Sequence, residues 1–310
     1  ATFEFDGILI MIDILNIKDN SVIINEVKSS TQVKDIYLHD ASIQYYVLNG
    51  LGYDVKKVNI IHINNEYVRD EELDINQLFS IVDVTYEVKE LQANIKNNLE
   101  IFRKTLAKED EPNIDIGTHC NDPYECDAKN YCWSHIPNYS IFDISRLKSQ
   151  KKFELYQNGI LEFSQINDIN SFSISQQIQI ESELENRTII NKKAIKEFVN
   201  TLTYPIYHLD FETFQQAIPE FKGVSPYSQI PFQYSLHIEH KDGTLEHKEF
   251  LAKDGVDPRE EISKRLVEDI PSNVTVLAYN MGFEKGVIRK LANLFEQYSH
   301  GLMAIHDNCK

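Results

Sequence analysis

Positive charge is what this chain has least of. Across 310 residues, 31 Lys and Arg face 48 Asp and Glu, a formal net charge of −17. That balance excludes a broad basic face of the kind that grips nucleic acid through many phosphates. It does not exclude a nuclease, because carboxylates clustered around divalent ions add negative charge that the bound metal offsets locally. Long apolar runs are missing too. No stretch reaches the roughly 18 residues of a membrane span, and the longest apolar segment, residues 7–15, is interrupted by Asp13. No basic-then-apolar leader opens the chain, so a cytoplasmic protein with no membrane partner is expected. The sequence starts Ala1-Thr2-Phe3 and enters strand-like residues at once, which reads as a fragment whose start lies upstream. Only four cysteines occur, and three of them fall between positions 120 and 132. Such a cluster is no secreted disulfide framework and points to metal or cluster ligation.

The 42% of hydrophobic residues is ordinary for a soluble globular protein, and the length predicts about two domains. Residues 3–15 and 21–29 are apolar and β-branched around Asn16-Ile17-Lys18-Asp19-Asn20, which predicts a hairpin. Helical spacing over 37–51 stops at Gly50-Leu51-Gly52. A strand over 55–63 and a mostly helical stretch over 72–107 follow, then a loop-rich segment over 112–137. Residues 140–200 read as several short helices. Strands return at 204–209, 231–240 and 245–251, then a helix over 258–269, a strand over 274–279 and a helix over 283–298. Three antiparallel strands, a crossover helix and a parallel strand make the start of an RNase H-like sheet.

Asp13 sits inside Ile10-Met11-Ile12-Asp13-Ile14-Leu15, where a carboxylate is costly unless paired or metal-bound. Glu26 and Lys28 lie on the next strand, and period-2 alternation puts them on one face. The hairpin can bring Asp13 beside them. Asp13, Glu26 and the Val27 carbonyl could then hold Mg²⁺ or Mn²⁺. Lys28 could orient or activate the attacking water and stabilise charge developing on a phosphate. The plain alternative is a cross-strand ion pair at a sheet edge.

These residues resemble the PD-(D/E)XK nuclease superfamily, especially its RecB-like branch. Glu26-Val27-Lys28-Ser29-Ser30-Thr31 is similar to the family's strand end. Gln44 stands where the branch has a Q-x-x-x-Y helix, with Leu48 in place of the Tyr and Tyr45 or Tyr46 as possible substitutes. The resemblance covers roughly residues 1–135. Some members of that branch carry three C-terminal cysteines that, with a fourth near the N-terminus, hold a four-iron four-sulfur cluster. Cys120, Cys126 and Cys132 resemble the three-cysteine part, which implies a 4Fe–4S cluster whose fourth ligand lies outside this chain. Zinc completed by His119 or His135 and three plain reduced thiols are the other readings. Cys309 is read as unrelated.

The second site is Asp210 and Glu212, at the end of the apolar run Ile206-Tyr207-His208-Leu209. Alternation again puts both acids on one face. Two adjacent carboxylates repel unless a cation lies between them, and their spacing suits two-metal phosphodiester cleavage. A strand-end acid pair capping the following turn is the plain alternative. Asp210-Phe211-Glu212-Thr213 resembles the first motif of DnaQ-like (DEDD) 3′–5′ exonucleases. Asn280 and Glu284 stand at that family's second motif, with Glu where Asp is usual. His306 and Asp307 come too early for its last motif, so the C-terminus too reads as cut short. The whole resembles a bacterial family fusing a cysteine-bearing RecB-like domain to a DnaQ-like domain. Gln229-Ile230-Pro231-Phe232 and Tyr279-Asn280 through Glu284-Lys285 carry that likeness.

The resemblance implies mixed α/β sheets in three parts. Residues 1–138 would form a PD-(D/E)XK core, 139–200 a helical connector and 201–310 a partial RNase H-like domain. It implies Asp13, Glu26, Lys28, Gln44, Asp210, Glu212 and Glu284 as catalytic residues. Metal ligands would be Asp13, Glu26, Val27, Asp210, Glu212 and Glu284, and the partner would be nucleic acid, with DNA favoured. A nuclease fold without activity, binding nucleic acid or protein, is the second reading. Tyr45, Tyr46, Phe214 and Tyr227 could stack bases, with core packing the ordinary role. His62 and His237 are expected to be hydrogen-bonded structural residues in strands.

Overall fold

A computed structural model of the protein describes residues 1–310. The chain is a mixed α/β structure with eleven α-helices, two four-stranded mixed sheets and a separate hairpin. It divides into two compact units, Ala1–Asn97 with Lys196–Lys310, and Asn98–Ile195. No helix is long and apolar enough to cross a membrane.

The start of the chain is more broken than the single strand expected over 3–15. Strands β1 (Thr2–Phe5) and β2 (Ile8–Met11) form a hairpin over Asp6-Gly7, both residues at positive φ. An Asp-Gly pair adopts that turn at little cost. After a break at Ile12-Asp13 comes β3 (Ile14–Lys18), which turns through Asp19 into β4 (Ser21–Lys28). Helix α1 (Asp35–Gly50) crosses over to β5 (Asp54–Ile63), which pairs parallel with β4. The stretch expected to be mostly helical contains α2 (Ile75–Leu78) and then a strand, β6 (Phe79–Asp83). Its β-branched Ile81-Val82 complete the sheet β3-β4-β5-β6 against β5. Helices α3 (Thr85–Glu90) and α4 (Gln92–Leu106) follow.

Val22 and Ile24 of β4, Val58 and Ile60 of β5, and Ala41, Val47 and Leu48 of α1 form the core here. Removing side chains of this size from water contributes about 1.5–3 kcal/mol each. Alternation along β4 carries the α1-facing side on from Val22 and Ile24 to Glu26 and Lys28. The two polar residues therefore come at the strand's end, beneath the first half of α1.

The second unit contains α5 (Lys129–Cys132), α6 (Ser149–Gln157), α7 (Ile174–Leu184) and the first half of α8 (Lys192–Val199). One small core joins Ile141, Ile144, Phe163 and Ile180, and another joins Ile116, Cys120 and Phe153 with Cys132 and Trp133. The cysteine segment thus packs with the short helices that follow it.

Back in the first unit, β7 (Ile206–Phe214), β8 (Ile230–Glu239) and β9 (Leu245–Leu251) form an antiparallel meander. Helix α9 (Arg259–Asp269) crosses to β10 (Thr275–Leu277), which pairs parallel with β7, giving the order β10-β7-β8-β9. The single helix expected over 283–298 is two, α10 (Met281–Leu294) and α11 (Glu296–Asn308), broken at Phe295. They pack with α9 on the sheet face of Leu209, Phe211, Tyr234 and Leu236. Cys309 and Lys310 then run parallel to β10.

Candidate active sites

The first site is built by one strand and one helix meeting in register. Glu26 and Lys28 are two apart on β4, and Asp40 and Gln44 are one turn apart on α1, so each pair shares a face. Lys28 Nζ lies 2.7 Å from Glu26 Oε1 and 2.6 Å from Asp40 Oδ2. Gln44 Nε2 donates to Glu26 Oε2 at 2.8 Å. Glu26 and Gln44 are buried, at 5% and 3% exposure. Burial raises the pKa of Glu26, with a smaller push from the Asp40 charge, while the Lys28 and Gln44 hydrogen bonds oppose it. Burial alone would lower that of Lys28, but hydrogen bonds and attraction from Asp40 and Glu26 win and hold it well above its ordinary value. Lys28 is therefore a fixed cation. It can orient a phosphate or water and offset negative charge, but it cannot accept a proton near neutral pH.

Asp13 reaches the site from the break between β2 and β3. It is exposed rather than buried in an apolar run, because the chain bends there. Its Oδ2 accepts the Val27 backbone N–H at 2.9 Å, beside Glu26. Gln44 Oε1 is buried with no hydrogen-bond partner, so an acceptor is left over next to the Glu26 carboxylate. Asp40 is the member that sequence reasoning missed. Its position four residues before Gln44 was the available signal. A buried amide row, Asn59 to Asn25 at 2.8 Å and Asn25 to Asn16 at 2.7 Å, braces β4 from its other face.

The second site lies on β7. Leu209 and Phe211 are buried, while Asp210 and Glu212 stand exposed on the opposite face. Asp210 forms part of the wall of an open cleft of about 950 Å³, with His208, Ser235, His237, Tyr279 and Lys310. Glu284 enters from the first turn of α10. It is 2% exposed, and its Oε2 has no hydrogen-bond partner. Burial raises its pKa, and the nearby Asp210 charge raises it further. A buried orphan carboxylate oxygen beside a second acid is a donor set that fits a divalent cation. No three His, Cys, Asp or Glu side chains converge on a common point anywhere in the structure. The fit is thus to an acid pair, with Glu212 on the same face.

Other expected residues fall as follows. His62 Nδ1 meets the Ile63 carbonyl at 3.0 Å. His237 is exposed and stacks on His247, with ring centroids 4.4 Å apart, and is not a buried hydrogen-bonded residue. His306 contacts Arg289 at 2.9 Å and Asp307 at 2.8 Å. Tyr227, with φ of +59°, donates its hydroxyl to the Ser29 carbonyl.

In the cysteine segment Cys120 is buried, Cys132 is half-buried and Cys126 is exposed, all as free thiols. The Gly117 N–H points at Cys120 Sγ at 3.5 Å, and the buried Trp133 Nε1 has no partner. N–H donors of this kind suit thiolate or sulfide sulfur. Three thiols leave a four-iron cluster one ligand short. Cys309 packs in the core of the other unit.

No curated protein and no solved structure matches the chain. A family profile described as a domain of unknown function (DUF2779) matches residues 207–310, the segment that holds Asp210, Glu212 and Glu284.

Proposed function

We propose that the protein is a divalent-metal-dependent nuclease that cleaves phosphodiester bonds of nucleic acid, with DNA as the expected substrate. One observation carries the reading. Glu284 keeps a carboxylate oxygen buried and unpartnered within electrostatic reach of Asp210, which lines an open cleft of about 950 Å³. Such an oxygen costs free energy unless something positive completes it. Mg²⁺ or Mn²⁺, when bound, supplies Lewis-acid polarisation of the phosphate and lowers the pKa of a bound water. The protein supplies the rest. Asp210 and Glu284 would hold the cation, with Glu212 beside Asp210 on the same strand face. The cleft wall positions the strand over Asp210.

At the other site Asp13, Glu26 and the Val27 backbone are the candidate ligands. Lys28 stays protonated and offsets charge on the phosphate. Gln44 fixes one Glu26 oxygen and offers its free Oε1 to a water. A cluster at Cys120, Cys126 and Cys132 would be structural in this scheme.

A non-catalytic module that binds nucleic acid or protein is the second reading. It is favoured at the first site, where both Glu26 oxygens are already taken by Lys28 and Gln44. The test uses labelled single- and double-stranded DNA and the matching RNA with Mn²⁺. Cleavage lost in Asp210→Ala but kept in Glu26→Ala assigns the activity to the second site. Cleavage that persists in the double variant removes both sites. Absence of cleavage together with no Mn²⁺ binding supports the non-catalytic reading.

A further inference from the structure

An open pocket of about 460 Å³ sits against the outer side of α1, away from the carboxylates already described. Its walls are Phe5, Tyr45 and Tyr46, its polar lining Asn49 and Gln92, and its cations Lys89 and Lys96. No acid lines it, in a chain where acids outnumber bases by 17. Gln92 and Lys96 are one turn apart on α4 and share a face. Lys89 and Lys96 are both exposed, and neither ammonium is held in an ion pair within the protein. Asp54, which is ion-paired with Lys56, also lies within electrostatic reach of Lys89. The Tyr46 hydroxyl is committed to Asp6 at 2.7 Å, and its ring packs edge-on to Phe5 at 5.9 Å, so the aromatic wall is held in place. Phe5 in turn lies on the bare backbone of Gly50, where an added Cβ would come 2.2 Å from the ring.

Each part selects for a chemistry. Flat aromatic walls recognise a planar ring by stacking. Two free ammonium groups recognise a phosphate. The Gln92 Nε2 is spent on the Ser42 and Val88 carbonyls, so its Oε1 is the atom left to accept a base N–H. The volume falls within the usual range of small-ligand sites.

We propose that this pocket binds a phosphorylated nucleotide, with Tyr45 and Tyr46 against the base and Lys89 and Lys96 on the phosphate. The ligand is either a free nucleoside monophosphate or the 5′-phosphorylated end of a strand. Tyr45 follows Gln44 on α1, so a strand end held here would leave the rest of that strand beside the helix that carries Asp40 and Gln44. The binding itself does not depend on cleavage.

The experiment is a set of binding titrations on the full chain in EDTA, where no metal-dependent cleavage can proceed. The probes are thymidine 5′-monophosphate, a short 3′-labelled oligothymidylate with and without a 5′-phosphate, and inorganic phosphate. The nucleotide should outcompete inorganic phosphate, and the 5′-phosphate should tighten strand binding. Lys96→Glu should weaken both by about tenfold or more, the scale of a lost charge-assisted contact. Tyr45→Leu should weaken the nucleotide but leave inorganic phosphate unchanged. Tighter binding of the phosphorylated strand than of the monophosphate assigns a strand end, and equal binding assigns a free nucleotide. Glu26→Gln should bind thymidine 5′-monophosphate as the parent does, which separates this pocket from the proposed cleavage site. Parent-like affinity in both Lys96→Glu and Lys89→Glu would overturn the proposal, as would inorganic phosphate competing as well as the nucleotide.

Discussion

Gln44 donates to Glu26 Oε2 at 2.8 Å across the helix–strand contact, and both side chains are buried. The bond sets what Gln44→Leu would do. It keeps the side-chain size but leaves a buried carboxylate oxygen without its donor, which costs about 1–3 kcal/mol. Thermal unfolding should show a melting temperature lower by several degrees. Combining Gln44→Leu with Glu26→Gln should cost less than the sum of the two single changes, because the unpaired charge is gone. Strict additivity in that cycle would show that the two groups do not interact.

The pH dependence at Glu284 has a definite sign. Its folded pKa lies above its ordinary value of 4.5, chiefly because of burial. The native state therefore holds the proton more tightly than the unfolded chain, and stability falls as pH rises through that window. Glu284→Gln removes the charge while keeping the shape. It should raise the melting temperature at neutral pH, and the gain should vanish once pH falls below the ordinary value. Mn²⁺ should stabilise the parent at neutral pH and leave Glu284→Gln unmoved. A variant less stable than the parent across the whole range would contradict this account.

Lys28 gives a prediction through what it cannot do. Held above its ordinary range by Asp40 and Glu26, it carries no proton-accepting role near neutrality. If the first site is active, Lys28→Arg should keep the shape of the pH–rate profile. Lys28→Met should lower the rate by about 10²-fold or more, as for loss of a charge-stabilising donor. Asp40→Asn should shift the Lys28 titration downward, which NMR of a side-chain-labelled lysine can follow.

Much of this arrangement was legible in the sequence. Alternation in Ile23-Ile24-Asn25-Glu26-Val27-Lys28 and in Leu209-Asp210-Phe211-Glu212 correctly gave which residues share a face, because period two is a property of the strand alone. The order of the second sheet followed from its hairpins and crossover helix. Other features are tertiary and left no local mark. The strand at Ile81-Val82 exists because β5 offers it an edge, amid residues that read as helix. The break at Phe295 is set by how α10 and α11 pack on α9. Asp40 was visible but unremarkable until Lys28 was placed beneath it. Burial of Glu284 could not be read from a helix whose first turn is otherwise exposed.

Phe5 and Gly50 give a packing test. An alanine at position 50 would place its Cβ 2.2 Å from Phe5 Cε1, closer than any real contact, so the ring must leave its seat. Overpacking of this kind costs about 1–3 kcal/mol, partly offset by the better helix propensity of alanine. Gly50→Ala should therefore melt lower than the parent. Phe5→Leu should relieve the clash, so the double variant should melt higher than Gly50→Ala alone. Equal melting of Gly50→Ala and the parent would mean that β1 and β2 shift freely against α1.

Tyr227 combines an unfavourable backbone with a long-range contact. Its φ of +59° is rare for a bulky residue, and its hydroxyl bonds the Ser29 carbonyl at the end of the strand carrying Glu26 and Lys28. The surrounding loop is fastened to the same part of the unit. Arg69 N–H donates to the Val224 carbonyl at 3.0 Å, Gly223 N–H to the Arg69 carbonyl at 2.7 Å, and Arg69 Nη1 to the Pro219 carbonyl at 2.9 Å. A conformation costing about 1–3 kcal/mol persists only where its surroundings hold it. Tyr227→Phe keeps that backbone cost and deletes only the hydroxyl bond, whereas Tyr227→Gly relaxes the backbone but loses the ring as well. If the contact steadies the end of β4, Tyr227→Phe should speed amide exchange at Ser29 and Ser30 while exchange in β8 stays as in the parent. Tyr227→Gly should do the same with a smaller loss of global stability than side-chain removal alone predicts. Unchanged exchange at Ser29 and Ser30 in both variants would mean that the Arg69 contacts alone hold the two segments together.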